Sequence, residues 1–353
     1  GVGGWRAREE PGGFAGSAAP RAPSLRGAGG ARGYGPTAAP PAGPGGAHTH
    51  DHAGAQGGGV CSVCNHQPGG ARAPLTVGLD DLEWEIPMAE IKFGPKIGQG
   101  AFGDVVKCTW QGTDVAVKRL NNVAAPAMDD FRREVQMLCK LRHPNVVLFM
   151  GSAAADADLG IVMEYAANGS LYSVLRDHTV RIDMATVVRW ATEVARGMTY
   201  LHTRTPPIVH RDLKSVNLLV DSDWHLKVSD FGLARTKEHS HAYTQVGTWG
   251  WMAPEVLESS PYDEKADVYS FGVVLWEMLT RQEPFKGLHP MQIMRAIDRG
   301  ERPLIPPHVE CVAEYRELIS DCWHADAARR PSFPQVLERL AACAEAVRAG
   351  RAG

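Results

Sequence analysis

The chain has 353 residues, of which 44% are hydrophobic and 22% are charged, and its formal net charge is −3. This length is sufficient for about two domains, or for one large domain with an additional segment. The charge balance lacks the basic excess of nucleic-acid-binding proteins, and no apolar run reaches the roughly 18 residues that span a bilayer. Seven scattered cysteines, an odd number, do not indicate a disulfide framework, so we expect a reducing, cytoplasmic compartment.

The first 78 residues differ in composition from the rest of the chain. Glycine and proline account for 29 of the first 74 residues, above the roughly 25–30% that marks low-complexity sequence. Residues 1–78 are therefore predicted to form a disordered tail. The tail contains residue types that bind zinc, namely His48, His50, His52, Cys61, Cys64 and His66. A single CxxC pair is not diagnostic, which favours incidental residues over a metal-binding adaptor.

A glycine cluster follows the first apolar alternation after Leu79. Gly98, Gly100 and Gly103 form the spacing GxGxxG. Dinucleotide-binding folds use this spacing before a helix, but residues 104–110 alternate in polarity, which predicts a strand instead. The pattern of strand, glycine-rich turn and strand favours a flap whose backbone N–H groups contact nucleotide phosphates.

Lys118 and Glu134 are candidates for an ion pair. Lys118 ends the strand-like run Val115–Lys118, fifteen residues beyond Gly103, which favours a phosphate-binding lysine over a solvated one. The next predicted helix, Asp129–Leu141, has an apolar face on which Glu134 lies. A carboxylate on an apolar stripe needs a cationic partner, for which Lys118 is the candidate. The alternative is a glutamate at the edge of the stripe, in water.

Three further elements are predicted from periodicity. Val146–Met150 is predicted to be a strand. Asp183–Thr203 has apolar residues at 187, 191, 194, 198 and 201, which indicates a long amphipathic helix. Val268–Thr280 is predicted to be an apolar helix that opens with Asp267.

The stretch VHRDLKSVNLLVDSDWHLKVSDFG holds two carboxylates with an amide between them, Asp212, Asn217 and Asp230. Leu218–Val220 and Leu226–Val228 are predicted to be short strands joined by a tight turn. Such a hairpin can hold the three polar side chains around one small volume. Carboxylate and amide oxygens are ligands that Mg²⁺ accepts while it also binds phosphate oxygens.

The order HRD, an Asn five residues after the Asp, and then DFG matches the catalytic and metal-binding loops of protein kinases. Together with GxGxxG and AVK, it makes residues from about Trp84 to Val347 resemble a complete eukaryotic-type protein kinase domain. Within that fold the chain resembles the tyrosine-kinase-like group, especially the Raf-like mitogen-activated protein kinase kinase kinases. Further matching segments are Trp84-Glu85-Ile86, Leu148-Phe149-Met150-Gly151, Gly247-Thr248, Trp251-Met252-Ala253-Pro254-Glu255 and Asp267-Val268-Tyr269-Ser270-Phe271-Gly272.

The resemblance implies an α+β, two-lobed protein kinase fold over residues 79–347, preceded by the disordered tail. A small, mainly β N-lobe would span about residues 84–163, and a large, mainly α C-lobe about residues 167–347. In this fold Glu255 and Arg330 form a structural ion pair, and Asp267 accepts backbone N–H bonds from the catalytic loop. A stacked apolar column would link the lobes through Leu138, Phe149, His210 and Phe231.

The resemblance also implies the catalytic roles. Lys118, held by Glu134, would bind the α- and β-phosphates of ATP. Asp212 would orient the substrate hydroxyl and accept its proton, and Lys214 would neutralise the transferring γ-phosphate.

The cofactors implied are ATP and Mg²⁺, with Asn217 and Asp230 as the metal ligands. Met163 would be the gatekeeper of the adenine pocket. The full set of nucleotide-binding residues would be Ile97, Gly98, Gly100, Gly103, Val105, Ala116, Lys118, Met163, Glu164, Ala166 and Leu219.

HRDLKxxN followed by Gly247-Thr248 resembles serine/threonine kinases, so we expect an ATP-dependent serine/threonine protein kinase. Its partner would be a protein substrate, with a downstream kinase as a candidate, and neither nucleic acid nor a membrane span is expected. The alternatives are a dual-specificity kinase and a nucleotide-binding signalling scaffold with little turnover. Within the activation segment, Thr244 is the expected phosphorylation site, and its phosphate would pair with Arg211.

Overall fold

The structure, a computed structural model, describes residues 84–100, 103–120, 134–155, 158–230 and 248–350. The predicted tail with its histidines and cysteines lies outside the described residues, as do Phe231 and Thr244. The two-lobed α+β fold expected from the resemblance is confirmed. No helix in the described part of the chain is both long enough and apolar enough to cross a membrane.

The N-lobe is built on one antiparallel sheet of five strands in the order β1-β2-β3-β5-β4. The strands are β1 Ile91–Gly100, β2 Gly103–Trp110, β3 Thr113–Leu120, β4 Phe149–Ala155 and β5 Asp158–Glu164. Alternate side chains of β2 and β3, among them Val106, Val115 and Val117, are buried in a small core. Alternation of this kind is what a sheet with one solvated face produces.

The prediction of a strand over Val146–Met150 is wrong at both ends, because β4 begins at Phe149 and continues to Ala155. The apolar run crosses from one lobe to the other. Val146 and Val147 are buried, and the amide of Val147 donates to the carbonyl of Val228 at 2.9 Å, so they pack against the C-lobe hairpin instead. A continuous apolar run does not reveal which lobe each part of it contacts.

The helix that carries Glu134 is described over residues 134–138, and the start of the predicted helix Asp129–Leu141 lies outside the described residues. The helix ends before the predicted Leu141. The amides of Lys140 and Leu141 bond to carbonyls three residues back, at 3.1 and 3.0 Å. This tightening is a common way for a last helical turn to end, and Pro144 soon after prevents continuation.

The C-lobe is mainly helical. Its helices are α1 Leu171–Arg176, α2 Met184–His202, α3 Pro254–Leu257, α4 Lys265–Thr280, α5 Pro290–Asp298, α6 Ala313–Cys322 and α7 Phe333–Arg348. Short 3₁₀ helices of this lobe span Ser215–Asn217, Trp249–Trp251 and Ala327–Arg329. A further 3₁₀ helix, Met88–Glu90, precedes β1 in the N-lobe. The predicted hairpin is confirmed as β6 Leu218–Val220 and β7 Leu226–Val228, which pair antiparallel.

Helices α2 and α4 form the centre of the C-lobe. The side chain of Asp183 caps α2 by accepting the amide of Thr186 at 2.8 Å, which satisfies one of the free donors at a helix start. Every residue of α4 from Ala266 to Met278 is buried, so α4 is a core helix with no solvated face. The catalytic loop lies between α2 and β6, against α4.

Candidate active site

The loop between α2 and β6 brings Asp212, Lys214 and Asn217 together, and all three are buried. Oδ2 of Asp212 accepts from Nδ2 of Asn217 at 2.9 Å and lies 2.9 Å from Nζ of Lys214. The ammonium of Lys214 also donates to Oγ1 of Thr248 at 3.0 Å. The ammonium of Lys214 therefore joins the carboxylate of Asp212 to the hydroxyl of Thr248.

Asp267 anchors this loop from the first turns of α4. Its two carboxylate oxygens accept the backbone amides of His210 and Arg211, each at 2.8 Å, which confirms the expected contact. Nε2 of His202 lies 2.8 Å from Oδ2. Burial would raise the pKa of Asp267, but the hydrogen bond from His202 and the nearby imidazoles hold it below its ordinary value. A buried carboxylate of this kind fixes backbone geometry through charge-assisted bonds.

Arg211 adopts the left-handed backbone conformation, with φ at 68°, which is unusual for a residue with a side chain. The two bonds from Asp267 hold this turn in place. The guanidinium lies 5.7 Å from the ring of Tyr262, and its Nε atom is buried without a hydrogen-bond partner in the described part of the chain. The expected pairing of Arg211 with a phosphate on Thr244 stays a prediction.

Lys118 bridges the two lobes from strand β3. Its Nζ lies 3.3 Å from Oε1 of Glu134 and 2.9 Å from Oδ1 of Asp230, and its side chain is 9% exposed. Burial would lower the pKa of Lys118, but the two carboxylates raise it above its ordinary value. The lysine is therefore fully cationic and pairs with Glu134 as predicted.

Asp230 sits directly after β7 in the left-handed conformation, with φ at 61°. Burial would raise the pKa of its carboxyl group, but the Lys118 ammonium lowers it below the ordinary value. Ser229 ties this position to the catalytic loop, because both its amide and its hydroxyl donate to the carbonyl of Asn217 at 2.9 Å. The two residues predicted to bind metal, Asn217 and Asp230, are thus held by adjacent backbone.

The glycine-rich segment forms the turn between β1 and β2. Gly98 lies opposite Val105 and Gly100 opposite Gly103 in the strand register, while residues 101 and 102 are outside the described residues. Ile97, just before the turn, is 46% exposed. The glycines therefore lie at the end of the β1–β2 hairpin, and their contact with nucleotide phosphates stays a prediction.

The residues expected around adenine lie on neighbouring strands and the segment after them. Ala116 pairs in register with Met163 on β5, and Ala166 is buried just beyond that strand. Leu219 on β6 forms an isolated bridge with Ser170. Their contact with a nucleotide stays a prediction.

Glu164, at the end of β5, was also expected to contact the nucleotide, but its side chain is engaged in two contacts within the protein. One carboxylate oxygen accepts the amide of Leu148 at 2.7 Å, and the other lies 3.0 Å from Nζ of Lys227 on β7. Because the side chain is engaged in this way, any contact between Glu164 and a nucleotide falls to its backbone.

The predicted ion pair between Glu255 and Arg330 is confirmed. It is bidentate, with Nη1 and Nη2 of Arg330 lying 2.6 and 2.8 Å from the two carboxylate oxygens. The guanidinium is completely buried and also donates to the carbonyls of His324, Ala325 and Lys265. This pair fixes the end of the activation segment to the C-lobe.

Residues 91–340 match the family described as protein tyrosine and serine/threonine kinase. The chain belongs to this protein kinase family. It is 51% identical over 258 residues to the probable serine/threonine-protein kinase drkD of Dictyostelium discoideum, a match that covers 72% of this chain and 20% of the relative. It is 44% identical over 281 residues to the serine/threonine-protein kinase CTR1 of Arabidopsis thaliana, covering 78% of this chain and 34% of the relative.

A third relative, the probable serine/threonine-protein kinase drkA of Dictyostelium discoideum, is 44% identical over 259 residues, covering 72% of this chain and 40% of the relative. The chain thus spans between a fifth and two fifths of the length of these relatives. The relatives agree with a Raf-like kinase of the tyrosine-kinase-like group.

Four residues of this kinase site received no role from the sequence, although Trp251 stands in one of the segments that match the family. Ser229 joins the candidate metal ligands, and Ser215, Trp251 and Glu277 form a buried hydrogen-bonded set beneath the catalytic loop. Nothing in the local sequence marks Ser215 or Ser229. The one available signal was that Glu277 interrupts an otherwise apolar helix, which implies a buried partner.

Proposed function

We propose that the chain is an ATP-dependent serine/threonine protein kinase that transfers the γ-phosphate of ATP to hydroxyl groups of proteins. The observation that carries this proposal is the contact set of Asp212, Lys214 and Thr248. It places a carboxylate and an ammonium next to each other, one able to orient and deprotonate a hydroxyl and the other able to neutralise the arriving phosphoryl group.

In the proposed reaction Asp212 accepts the hydroxyl proton at Oδ1, the oxygen that does not hold Lys214 and Asn217. Lys214 stabilises the charge that develops on the transferred phosphoryl group. Lys118 binds the α- and β-phosphates, and Glu134 keeps its ammonium in place. Each role requires positioning and charge, and none requires a covalent bond to the protein.

Protein kinases use ATP and typically Mg²⁺, and the residues present fit both. Asn217 donates its amide nitrogen to Asp212, so its amide oxygen faces the other way. That oxygen and the carboxylate of Asp230 are hard donors of the kind Mg²⁺ prefers. Mg²⁺ held by Asn217 and Asp230 would supply positive charge that neutralises the phosphates of ATP. With so few protein ligands, most of its coordination shell would come from phosphate and water.

We place the substrate among proteins that carry serine or threonine, with a downstream kinase as a candidate, because the HRDLKxxN loop contains Lys214 in contact with Thr248. A cytoplasmic location is supported by five cysteines that are all free in the described residues, four of them buried. Dual specificity for tyrosine remains the alternative for the acceptor.

The test is incorporation of labelled γ-phosphate from Mg-ATP into a generic protein acceptor, followed by identification of the phosphorylated amino acid. Phosphoserine and phosphothreonine are expected, and Lys118→Met should abolish the signal and so exclude a contaminating kinase. Nucleotide binding without incorporation by the unaltered chain would instead favour a signalling scaffold. Phosphotyrosine in the product would show dual specificity.

A further inference from the structure

Glu277 is a completely buried carboxylate near the end of the apolar helix α4. Its Oε1 accepts the hydroxyl of Ser215 at 2.8 Å, and its Oε2 accepts the indole N–H of Trp251 at 2.7 Å. The only charged group that faces it from the described residues is the guanidinium of Arg176 on α1, with Nη2 at 3.7 Å. A buried carboxylate is costly unless hydrogen bonds and a cationic partner compensate for its lost hydration.

The two donors belong to the two segments that build the acceptor side of the active site. Ser215 directly follows Lys214 in the catalytic loop. Trp251 lies three residues after Thr248, and its amide donates to the carbonyl of Thr248 at 3.1 Å. Lys214 and Thr248 bond to each other at 3.0 Å. Glu277 therefore closes a ring of contacts in which each segment is held both at the active site and beneath it.

We propose that Glu277 is a positioning residue for phosphoryl transfer, which holds the catalytic loop and the Thr248 segment in register by accepting Ser215 and Trp251 at the same time. This inference rests on the proposed kinase function. Because Glu277 touches neither Lys118 nor the glycine-rich turn, it acts on the transfer step and leaves ATP binding unaffected. Misplacing a catalytic group by about 1 Å is sufficient to cost about a hundredfold in rate.

The carboxylate form is the one that can accept from both donors. Protonation converts one oxygen into a donor, and because the indole N–H of Trp251 can only donate, the hydroxyl of Ser215 must turn to accept, which alters the contact that holds the catalytic loop. Burial raises the pKa of Glu277 to about 7, against the opposing effect of the bonds from Trp251, Ser215 and Arg176. The turnover number is therefore expected to fall as the pH decreases through this range.

The first test removes one donor at a time. Ser215→Ala and Trp251→Phe should each lower kcat about tenfold, equivalent to about 1.4 kcal/mol in activation free energy, with the KM for ATP changed less than about twofold. Since both bonds serve one connection, the double variant should lose little more than the worse single variant. Unchanged kcat in both single variants, or losses that multiply in the double variant, would overturn the proposal.

The second test uses Glu277→Gln, whose neutral amide accepts from Trp251 and donates to Ser215 as the protonated carboxyl group does, but which does not titrate and so keeps the loop in the less active arrangement at every pH. Its kcat should lack the acid limb that the unaltered chain shows near pH 7. Glu193→Gln is the matched control, since Glu193 is also a buried carboxylate of the C-lobe that accepts a backbone amide, that of Leu226. The control should lower the melting temperature and keep both kcat and the acid limb.

An acid limb that persists unchanged in Glu277→Gln would assign the titration to another group and overturn the role of the carboxylate. If Glu193→Gln and Glu277→Gln both lower kcat in proportion to their loss of stability, Glu277 has only a structural role. A failure of the proposed function looks different, because then the unaltered chain itself transfers no phosphate at any pH.

Discussion

Lys118 is a single cation shared by two carboxylates from different parts of the chain, Glu134 and Asp230. Glu134 is the more enclosed partner, with 14% of its side chain exposed against 44% for Asp230. Asp230 makes the shorter contact with the ammonium, at 2.9 Å against 3.3 Å for Glu134, so both carboxylates constrain its position. The more exposed Asp230 is one of the two residues proposed to bind Mg²⁺.

We predict that Lys118→Met and Glu134→Ala each lower kcat/KM by about a hundredfold or more, because both remove charge placed for the phosphates. The fold should persist, since neither residue is part of the apolar core. Lys107→Met is the matched control, because Lys107 lies on the neighbouring strand in an exposed pair with Asp114 at 2.7 Å. Phosphate-transfer kinetics and thermal melting measure both effects. Near-normal kcat in Glu134→Ala would contradict the role assigned to that helix.

The raised pKa of Glu277 predicts that stability and activity change in opposite directions with pH. Its pKa is raised to about 7 in the folded state from an ordinary value of 4.5. Between these values the folded state holds a proton that the unfolded state has lost, so the free energy of unfolding falls as the pH rises through this window. The loss is on the order of 3 kcal/mol when complete, above pH 7.

Urea unfolding at pH 5 and pH 8 measures this directly. The unaltered chain should lose more stability over that interval than Glu277→Gln, whose side chain does not titrate. An equal loss in both proteins would show that Glu277 is ionised throughout. The form that folds most stably is thus the protonated one, and the form proposed to support turnover is the ionised one.

Most residues of the candidate site could be named from the sequence because each lies in a short motif with fixed spacing. Asp212, Asn217 and Asp230 were predicted to meet because a two-stranded hairpin separates them by a known geometry. Ser215 and Glu277 were missed for the opposite reason. They are 62 positions apart, and a serine and a glutamate carry no local pattern that indicates which partner each will find once buried.

At the scale of elements, helix α2 approaches Asn145 and strand β7 through a glycine, Gly197. A Cβ atom on Gly197 would lie 2.6 Å from the carbonyl oxygen of Asn145 and 3.1 Å from Cγ2 of Val228. Asn145 in turn accepts the amide of Val228 at 2.9 Å and donates its side-chain amide to Leu226 at 3.0 Å. The helix therefore supports the strand that ends just before Asp230.

We predict that Gly197→Ala destabilises the protein by about 1–3 kcal/mol, as overpacking in a close-packed region does. Helix propensity alone would favour alanine by about 1 kcal/mol, so the sign of the effect separates packing from propensity. Arg196→Ala, at the exposed neighbouring position, is the control and should change stability little. Chemical unfolding measures the free energy of unfolding of both variants. A stabilised Gly197→Ala would show that the helix can move away from Asn145.

Element boundaries were predictable where the chain carries its own signal. Asp183 and Thr203 were predicted as the ends of a long helix and are in fact its N-cap and C-cap. The strand predicted over Val146–Met150 was misplaced because its first residues bond to β7 in the other lobe. Which lobe these residues contact depends on the tertiary structure and is not encoded in hydrophobic periodicity.

At the scale of the whole molecule, the described N-lobe includes a lead-in segment before its first strand. The carbonyl of Trp84 accepts the amide of Ser152 at 2.9 Å, and the amide of Ile86 donates to the carbonyl of Ser152 at 2.8 Å. Ile86 is 3% exposed and belongs to the small N-lobe core. It packs over Gly151, where an added Cβ would lie 2.6 Å from its Cδ1 atom. The lead-in thus extends the sheet next to β4 and completes its core.

These contacts predict where the chain can be shortened. A chain that begins at Leu79 should keep full phosphate-transfer activity, since it retains the lead-in, whereas one that begins at Ile91 should lose it. Loss of a buried isoleucine side chain alone costs about 2–5 kcal/mol, a large part of the stability of a small lobe. Ile86→Ala in the longer chain is the matched control and should reproduce much of the loss. Thermal melting and kcat of the three proteins test this, and inactivity of the chain that begins at Leu79 would show that earlier residues are required by the kinase domain.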